Sequence, residues 1–492
     1  MYTYEQLTSS ERQVWDAYPA GHLVDFRTGG AQDAPDNGED WGVERTIRAT
    51  VVATLLLGGN PGQPRNVPAL RLAGARISGA LDLSEAEIGH GMWFEGCWFE
   101  QDLNLFGAET RTIEITDSRL AGLTLTMARV AGRVVLRRTV LNGRLSLMNA
   151  RLSGELKLRD AVVSHPGDWA VFAGGLVMEA GLFCRGTTVH GGIRLPGAQL
   201  PGGLHMEQAQ LHHPDGVALL ADQAVVSSMA LSQGFTAEGT VSLRGTQITD
   251  QLTLDGATLR ARGTALDCAR MQAGIFVFTP AEPPSGQVDL QNAQAVTVHD
   301  RESSWPETVR LQGFTYGSFH ESGDVHAVSV ERRLAWIRRQ PNYAAQPYEQ
   351  LAAWYRVIGH DDDARRVLLA KQRQRRGTLA LPSRLWGHLI DATVGYGYRP
   401  WLAGVWLAAL VLLGTTIFAA HTPRPTQPGQ VPPFNPFVYT LDLLIPIGGL
   451  GQRTSWYWMG GATAWLSYAL IAAGWILTTA VLAGITRTLS RN

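Results

Sequence analysis

The sequence predicts a mainly β chain: a β-solenoid with helical caps, followed by a C-terminal two-helix transmembrane hairpin. Three observations predict it. Apolar residues recur in units of ten or eleven from about residue 67 to 315. Glycine is abundant, at 54 of 492 residues, which suits a fold of many tight turns. Two long stretches near the end carry no charge, and they account for the low charged fraction of 17%. The net charge of −1 gives no global signal for nucleic acid or acidic ligands.

Residues 1–66 read as a helical N-terminal cap. Between Trp41 and Leu57, the apolar residues Ile47, Val51 and Leu55 fall four apart, on one helical face. Gly58, Gly59 and Pro61 then stop the helix. The residues around Tyr2, Tyr4, Glu5 and Glu11 lack the basic segment and apolar core of a secretory leader, so none is expected.

Residues 67–315 form the β-solenoid. One unit holds Leu145, Leu147, Ala150, Leu152 and Gly154, and the next holds Leu156, Leu158, Ala161 and Val163. Leu123, Val134, Leu145 and Leu156 are each eleven residues apart. The alternation of Leu145 and Leu147 has the period of a strand. So short a unit buries its apolar row only when the next unit stacks on it. The small residues Ala150, Ala161, Ala198, Ala209 and Ala257 suit crowded corners. Two units make a turn of roughly 21–22 residues, within the range of repeat arrays.

Ala75–Gly79, Ala150–Gly154 and Ala198–Gly202 resemble the unit of the pentapeptide-repeat family: a small residue, a polar one, an aliphatic one and two more. The match covers alternate units, with six residues such as Glu155–Asp160 between. The resemblance implies a square, right-handed solenoid. The rhythm breaks at 164–180, 213–235 and 279–305, where Pro166, Pro214, Pro280, Pro283 and Pro284 predict loops bulging from the stack.

Residues 316–399 read as a second helical cap and a basic juxtamembrane linker. Val330, Leu334 and Ile337 start one helix, and Pro347 opens another at its tolerated first turn. Gly359 ends that helix, and Asp361 can cap a third carrying Ala364, Val367 and Leu368. The spacing of Tyr348, Leu351, Ala352, Tyr355, Gly359 and Ala364 is similar to a single tetratricopeptide unit. One such unit makes no binding array, so a cap is the expected role.

Residues 400–492 read as the hairpin. Leu402–Ala420 and Met459–Thr486 are nineteen and twenty-eight residues without charge, each long enough to span a bilayer. Trp401, Trp456, Tyr457 and Trp458 sit at their edges, as aromatic belts do. Arg365, Arg366, Lys371, Arg373, Arg375, Arg376, Arg384 and Arg399 precede the first span, and Arg487 and Arg491 end the second. Only Arg424 and Arg453 are basic between the spans. The bias predicts both termini in the cytoplasm, with the hairpin in the inner (cytoplasmic) membrane. The cluster Arg365, Arg366, Lys371, Arg373, Arg375 and Arg376 also suits anionic lipid heads.

The segment 434–451 is too broken to span and too apolar for an ordinary loop. It predicts a re-entrant or interfacial helix starting near Asn435 and Pro436 and ending at Pro446. Asp442 is an acid at that depth, a functional candidate by position. Gly448, Gly449 and Gly451 follow, and Gly474 in the second span is a candidate hinge. Span, short helix, glycine-containing loop and span resemble the pore module of two-span ion channels in layout. The string Thr393-Val394-Gly395-Tyr396-Gly397 reproduces a potassium-filter sequence, but it precedes the first span, where no filter can form. It is expected to be a juxtamembrane turn.

Trp41-Gly42, Tyr348–Leu351, Gly395–Pro400 and Phe434–Gln452 resemble a group of actinobacterial membrane-anchored β-solenoid proteins often labelled membrane-associated oxidoreductases. The resemblance implies redox chemistry. The chain itself has no GxGxxG after a strand, no CxxCH and no iron–sulfur cysteine run, so no cofactor is expected. Cys97, Cys184 and Cys268 are far apart and read as small buried residues. Asp82, Glu85, Glu155, Asp160 and Asp255 read as solvated wall residues. His205, His212 and His213 lack a third metal ligand at defined spacing, and Asp361, Asp362 and Asp363 lack the glycine and terminal Glu of a calcium loop. No catalytic or metal residues are assigned.

The expected function is a membrane-anchored cytoplasmic scaffold or sensor whose solenoid binds a protein partner. The alternative is an oligomeric two-span channel gated by the solenoid, and the third is an enzyme. Expected partners are membrane lipid, further copies of the chain and a protein, with no nucleic acid.

Overall fold

The structure, a computed structural model, describes residues 3–60, 66–320, 329–377, 401–427, 429, 431–445 and 449–489. Two compact units divide the chain, residues 1–350 and 351–492.

The first unit is a parallel β-solenoid of about 11 turns. Early turns are four-sided, with one short strand per side. One turn runs through Glu109–Thr110, Ile113–Thr116, Arg119–Leu120 and Leu123–Thr124 before Arg129–Val130 begins the next. Met92 pairs with Ile113, Ile113 with Val134, and Val134 with Leu156, so the expected two-unit turn is present. At about 4.8 Å between paired strands, each side chain lies above its equivalent in the turn below. Leu81, Leu103, Leu123 and Leu145 make one inward row, and Met92, Ile113, Val134, Leu156 and Leu182 another, all buried. Each contributes about 1.5–3 kcal/mol through removal of its side chain from water.

The corners obey the same register. Ala150, Ala161, Ala198, Ala209 and Ala257 are completely buried, as expected. Where the corner residue is polar, its hydroxyl bonds a main-chain carbonyl: Thr139 donates to Ile115 at 2.8 Å, Thr187 to Leu158 at 2.6 Å and Thr246 to Ala221 at 2.9 Å. Outside the corner, Glu85, Gly107, Met127, Asn149 and Gly175 take the left-handed conformation on successive turns. Turn geometry there overrides the cost of about 1–2 kcal/mol for a residue with a Cβ.

The first two breaks in rhythm are not simple loops, whereas the third opens on residues 279–284, outside any strand, before Ser285–Asp289 resumes pairing; a third bulged strand lies earlier, where the apolar rhythm is unbroken. Val162–Phe172, Gln210–Leu220 and Thr258–Asp267 are long strands that bulge in the middle. Their register shifts fall between Ser164 and Trp169, His212 and Val217, and Arg260 and Thr264. The knobs begin at His165, His213 and Ala261, 48 residues apart, which is two turns. Each lies over a glycine of the next turn: Gly191, Gly239 and Gly286, with φ of 124°, 123° and 129°. A Cβ on Gly191 would stand 2.6 Å and 2.7 Å from the carbonyl oxygens of His165 and Asp168. In the first two, Pro166 and Pro214 ended the apolar rhythm, but the main chain kept pairing on both sides of the extra residues.

Both ends of the stack carry caps. At the start, α1 (Ser9–Ala17) and α2 (Ala49–Leu56) are joined by two strands. Val24–Asp25 pairs with the first turn, and so does Thr46–Arg48. Ile47 therefore belongs to a strand and not to the expected helix; it faces the same core from strand geometry. Arg45 binds Asp33 at 2.7 Å and lies over the Trp41 ring at 3.8 Å.

At the far end, α3 (Val330–Arg338) and α4 (Gln346–Val357) follow the last strand, Thr315–His320. Arg333 bonds both carboxylate oxygens of buried Asp300, at 2.6 Å and 2.8 Å, and stacks over Phe319. Trp305 donates to the same carboxylate at 2.9 Å. Gln346 and Gln350 donate to the carbonyls of Phe314 and Tyr316, occupying edge acceptors that another turn would use.

In the second unit, α4 ends at Gly359, whose φ is 81°. Then α5 (Asp361–Gly377) begins at Asp361 and buries Ala364, Val367 and Leu368. It is followed by α6 (Trp401–Ala419), α7 (Pro436–Leu444), α8 (Gln452–Ser455) and α9 (Ala462–Leu489). α6 and α9 are long and apolar enough to cross a membrane.

Arg333→Ala should lower the stability of the solenoid by about 3–5 kcal/mol, because the Asp300 carboxylate would stay buried without its cation. Thermal unfolding of the β signal in circular dichroism reads this out. An unchanged midpoint would mean that the pair does not hold the cap.

Candidate functional site

The sequence-derived candidates at Asn435, Asp442, Gly449, Gly451 and Gly474 come together around α7; Pro446 and Gly448 lie outside the described residues. Pro436 occupies the first turn of α7, where its missing N–H costs nothing. The Asn435 side chain accepts from the amides of Phe437 and Val438 at 3.0 Å and 3.2 Å, closing the exposed donors of the first turn.

α7 packs between α6 and α9 through two glycine notches. A side chain at Gly414 would run into Thr440, and one at Gly474 into the carbonyl of Leu444. Gly474 thus permits close packing of main chain on main chain. Phe418, Tyr439, Leu443, Leu444 and Leu470 form a hydrophobic cluster around α7. Phe418 meets Tyr439 edge-on at 5.1 Å and stacks on Trp458 at 5.3 Å.

Asp442 is completely buried in the last turn of α7. One carboxylate oxygen accepts from the Leu450 amide and the other from the Arg453 amide, both at 2.8 Å. A carboxylate can accept on both oxygens at once, so one side chain ties the returning chain to the helix before it. Gly451, with φ 80°, makes the turn between those two amides. Gln452 bonds the chain on the other side: its Nε2 donates to the Pro433 carbonyl at 3.0 Å and its Oε1 accepts from Asn435 N at 3.3 Å. Trp456 Nε1 donates to the Pro432 carbonyl at 3.1 Å. Gln452, Gly414 and Thr440 escaped the sequence reading; a glycine in a span is common, and nothing local marks its partner.

The basic candidates all lie on α5. Arg365, Arg366, Arg373 and Arg375 are exposed, and Lys371 and Arg376 are half-buried. Arg365 pairs with Asp362 and Arg366 with Asp363, each at 3.2 Å, so part of this charge is balanced within the helix. The filter-like string at 393–397, together with Arg384 and Arg399, lies outside the described residues.

The solenoid walls spread their polar residues along the stack instead of converging them. His205 stacks on Phe183 at 4.8 Å. On another side His212 stacks on His190 at 5.1 Å and bonds Glu238 at 3.0 Å, while His213 lies in a knob, 6.4 Å from the Trp169 ring. Among the described residues no group of three His, Cys, Asp or Glu is placed to hold a metal ion. Glu85 and Asp160 are corner residues with φ of 57° and 55°, and Asp82 accepts from Ser84 and Asn104. A shallow trough of about 560 Å³ runs across successive turns, bordered by Glu109, Arg111, Arg129, Arg151, Ser153 and Glu179. It carries charges of both signs, and Arg129 pairs with Glu109 at 2.7 Å.

All three cysteines are buried and unpaired with one another. Burial pushes the Cys97 and Cys184 thiols up to about 12 and raises that of Cys268 well above the usual thiol range. None is a thiolate at neutral pH. No family model matches this chain, and it has no match among curated proteins or solved structures.

Two outcomes are expected. Ellman's reagent at pH 8 should find no reactive thiol in the native chain and three after denaturation; fast native labelling would place a cysteine at the surface. Asp442→Asn should weaken the second unit by about 1–3 kcal/mol, since its amide nitrogen would face a main-chain N–H donor. Faster tryptic cleavage after Arg453 would report this, and wild-type resistance would exclude the clamp.

Proposed function

We propose that this chain is an integral membrane protein in which a two-span anchor carries a β-solenoid that serves as a cytoplasmic scaffold or sensor. The observation that carries this reading is the surface of α6 and α9. Their apolar windows have mean hydropathy of 2.2 and 1.3, yet only 17% and 22% of those windows is buried. Core helices of a water-soluble protein would be covered on most sides. Leu412, Trp465, Tyr468 and Trp475 are more than half exposed, which suits lipid and interfacial contact.

Orientation follows from charge. The basic residues of α5 precede α6, and only Arg424 and Arg453 lie between the long helices. That asymmetry favours both termini in the cytoplasm. The solenoid offers partner-sized walls of stacked polar residues and no convergent acid–base or metal constellation. Binding therefore fits its chemistry better than catalysis, and the mixed-charge trough beside Arg129 and Arg151 is the wall we assign to a protein partner.

Alkaline carbonate treatment of membranes from expressing cells should leave the full chain in the pellet. A C-terminal tag should be cleaved by protease in inside-out vesicles and protected in right-side-out ones. Release into the supernatant would overturn the anchor, and the reverse protection pattern would overturn the orientation.

A further inference from the structure

We infer that one wall of the solenoid docks on anionic phospholipid headgroups through a file of three arginines, Arg137, Arg159 and Arg185. The inference rests on the membrane reading above and adds a peripheral contact with the bilayer to the two spans.

The file follows from register. Val135, Lys157 and Phe183 lie one above another on successive turns. Each arginine stands two residues further on, and the main chain keeps step there. Arg138 N donates to the Arg159 carbonyl at 2.9 Å, and Asp160 N to the Arg185 carbonyl at 3.0 Å. Three guanidinium side chains therefore leave the wall at the strand spacing, about 4.8 Å. All three residues are exposed.

The surrounding charges cancel across turns, and these do not. Glu114 pairs with Arg133, Asp117 with Arg138 and Glu155 with Lys157. The acids at the two ends of the file are also engaged: Glu95 binds Arg27, and Glu207 lies 3.7 Å from His205. Arg137 forms no ion pair among the described residues, and Arg185 donates to neutral Gln208 at 3.3 Å. That leaves Asp160, 3.5 Å from Arg159, against three arginines. Three cations less one acid is a surplus of two positive charges. Like charges directly opposite on neighbouring strands destabilise a sheet, so the file carries a cost that an external anion removes.

Two features select lipid as that anion. The adjoining file sets half-buried Val135 and Phe183 on either side of Lys157. Apolar side chains among cations match the boundary between headgroups and acyl chains, and a dissolved polyanion offers them nothing. The second feature is concentration. A chain tethered by α6 and α9 meets its own bilayer at an effective concentration on the order of mM. A cytoplasmic leaflet carries anionic lipid and attracts basic residues close to it. The planar fork of each guanidinium takes two phosphate oxygens at once.

The test uses the full chain in nanodiscs, which expose both leaflets, so orientation does not enter. A polarity-sensitive dye is attached through Thr116→Cys, one turn before Arg137; the three native cysteines are buried and stay unlabelled. In discs of phosphatidylcholine with about one-third phosphatidylglycerol, the emission should move to the blue relative to pure phosphatidylcholine. Salt at about 1 M, where the Debye length is about 3 Å, should reverse the shift. Arg137→Gln, Arg159→Gln and Arg185→Gln together should lower the docked-to-free ratio on the order of 100-fold, about fivefold for each arginine. An unchanged β signal in circular dichroism establishes that this variant is folded. A wild type that enters the discs without any shift, or a triple variant that keeps the shift, would overturn the docking and leave the anchor standing. A chain that does not enter the discs would overturn the anchor itself. A shift caused by polyglutamate in phosphatidylcholine discs, and not by phosphatidylglycerol, would assign the file to an acidic peptide and overturn the lipid contact.

Discussion

Every feature of the first unit depends on register. Parallel strands one above another repeat each side chain at the strand spacing, so a single inward leucine is useful only if its equivalents one turn away are apolar as well. This explains why Leu81, Leu103, Leu123 and Leu145 form a row, and why corner files hold buried residues throughout, most of them small or hydroxyl-bearing, with larger apolar ones such as Leu176, Phe235 and Met271 at some turns. It also explains why chemistry is sparse. A wall that repeats its positions in straight files separates polar groups along the axis, whereas acid–base catalysis needs them to converge.

The same constraint makes the two ends special. Each terminal turn would leave a row of main-chain donors and acceptors open for another chain to add to. The caps close them with different means but a common device, a charged pair withdrawn from water and bonded on several sides. Arg45 with Asp33, and Arg333 with Asp300, each combine an ion pair with an aromatic face. Such pairs gain little in net stability over apolar packing but strongly penalise a cap that seats wrongly.

The sequence made the repetitive parts legible because periodicity is a property of many residues at once. The alternation of Leu145 and Leu147 and the eleven-residue steps identify strand and stack without any partner being known. Asn435 before Pro436 marked the start of the short helix, because capping is local. What was hidden depends on pairs distant in the chain. Asp442 was a functional candidate by its position; its hydrogen-bond partners, the amides at 450 and 453, were not legible in the sequence. Gly474 was a candidate hinge by residue type alone, and its contact with Leu444 could not be read from the sequence. Ile47 had helical spacing to Val51 by coincidence of a strand running straight into a helix. The proline breaks were visible, but whether main chain resumes pairing beyond a proline is decided by the neighbouring turn.

The knobs over Gly191, Gly239 and Gly286 give this wall a module twice as long as its structural repeat. A turn that bulges must be followed by one that yields, so the chain can lengthen or shorten on this side only by whole pairs of turns. Removing a single turn would keep every inward leucine in file and still set one knob upon another. Fold and wall therefore count in different units, and a duplication that the core would tolerate at about 22–24 residues is admitted by the surface only at about 48.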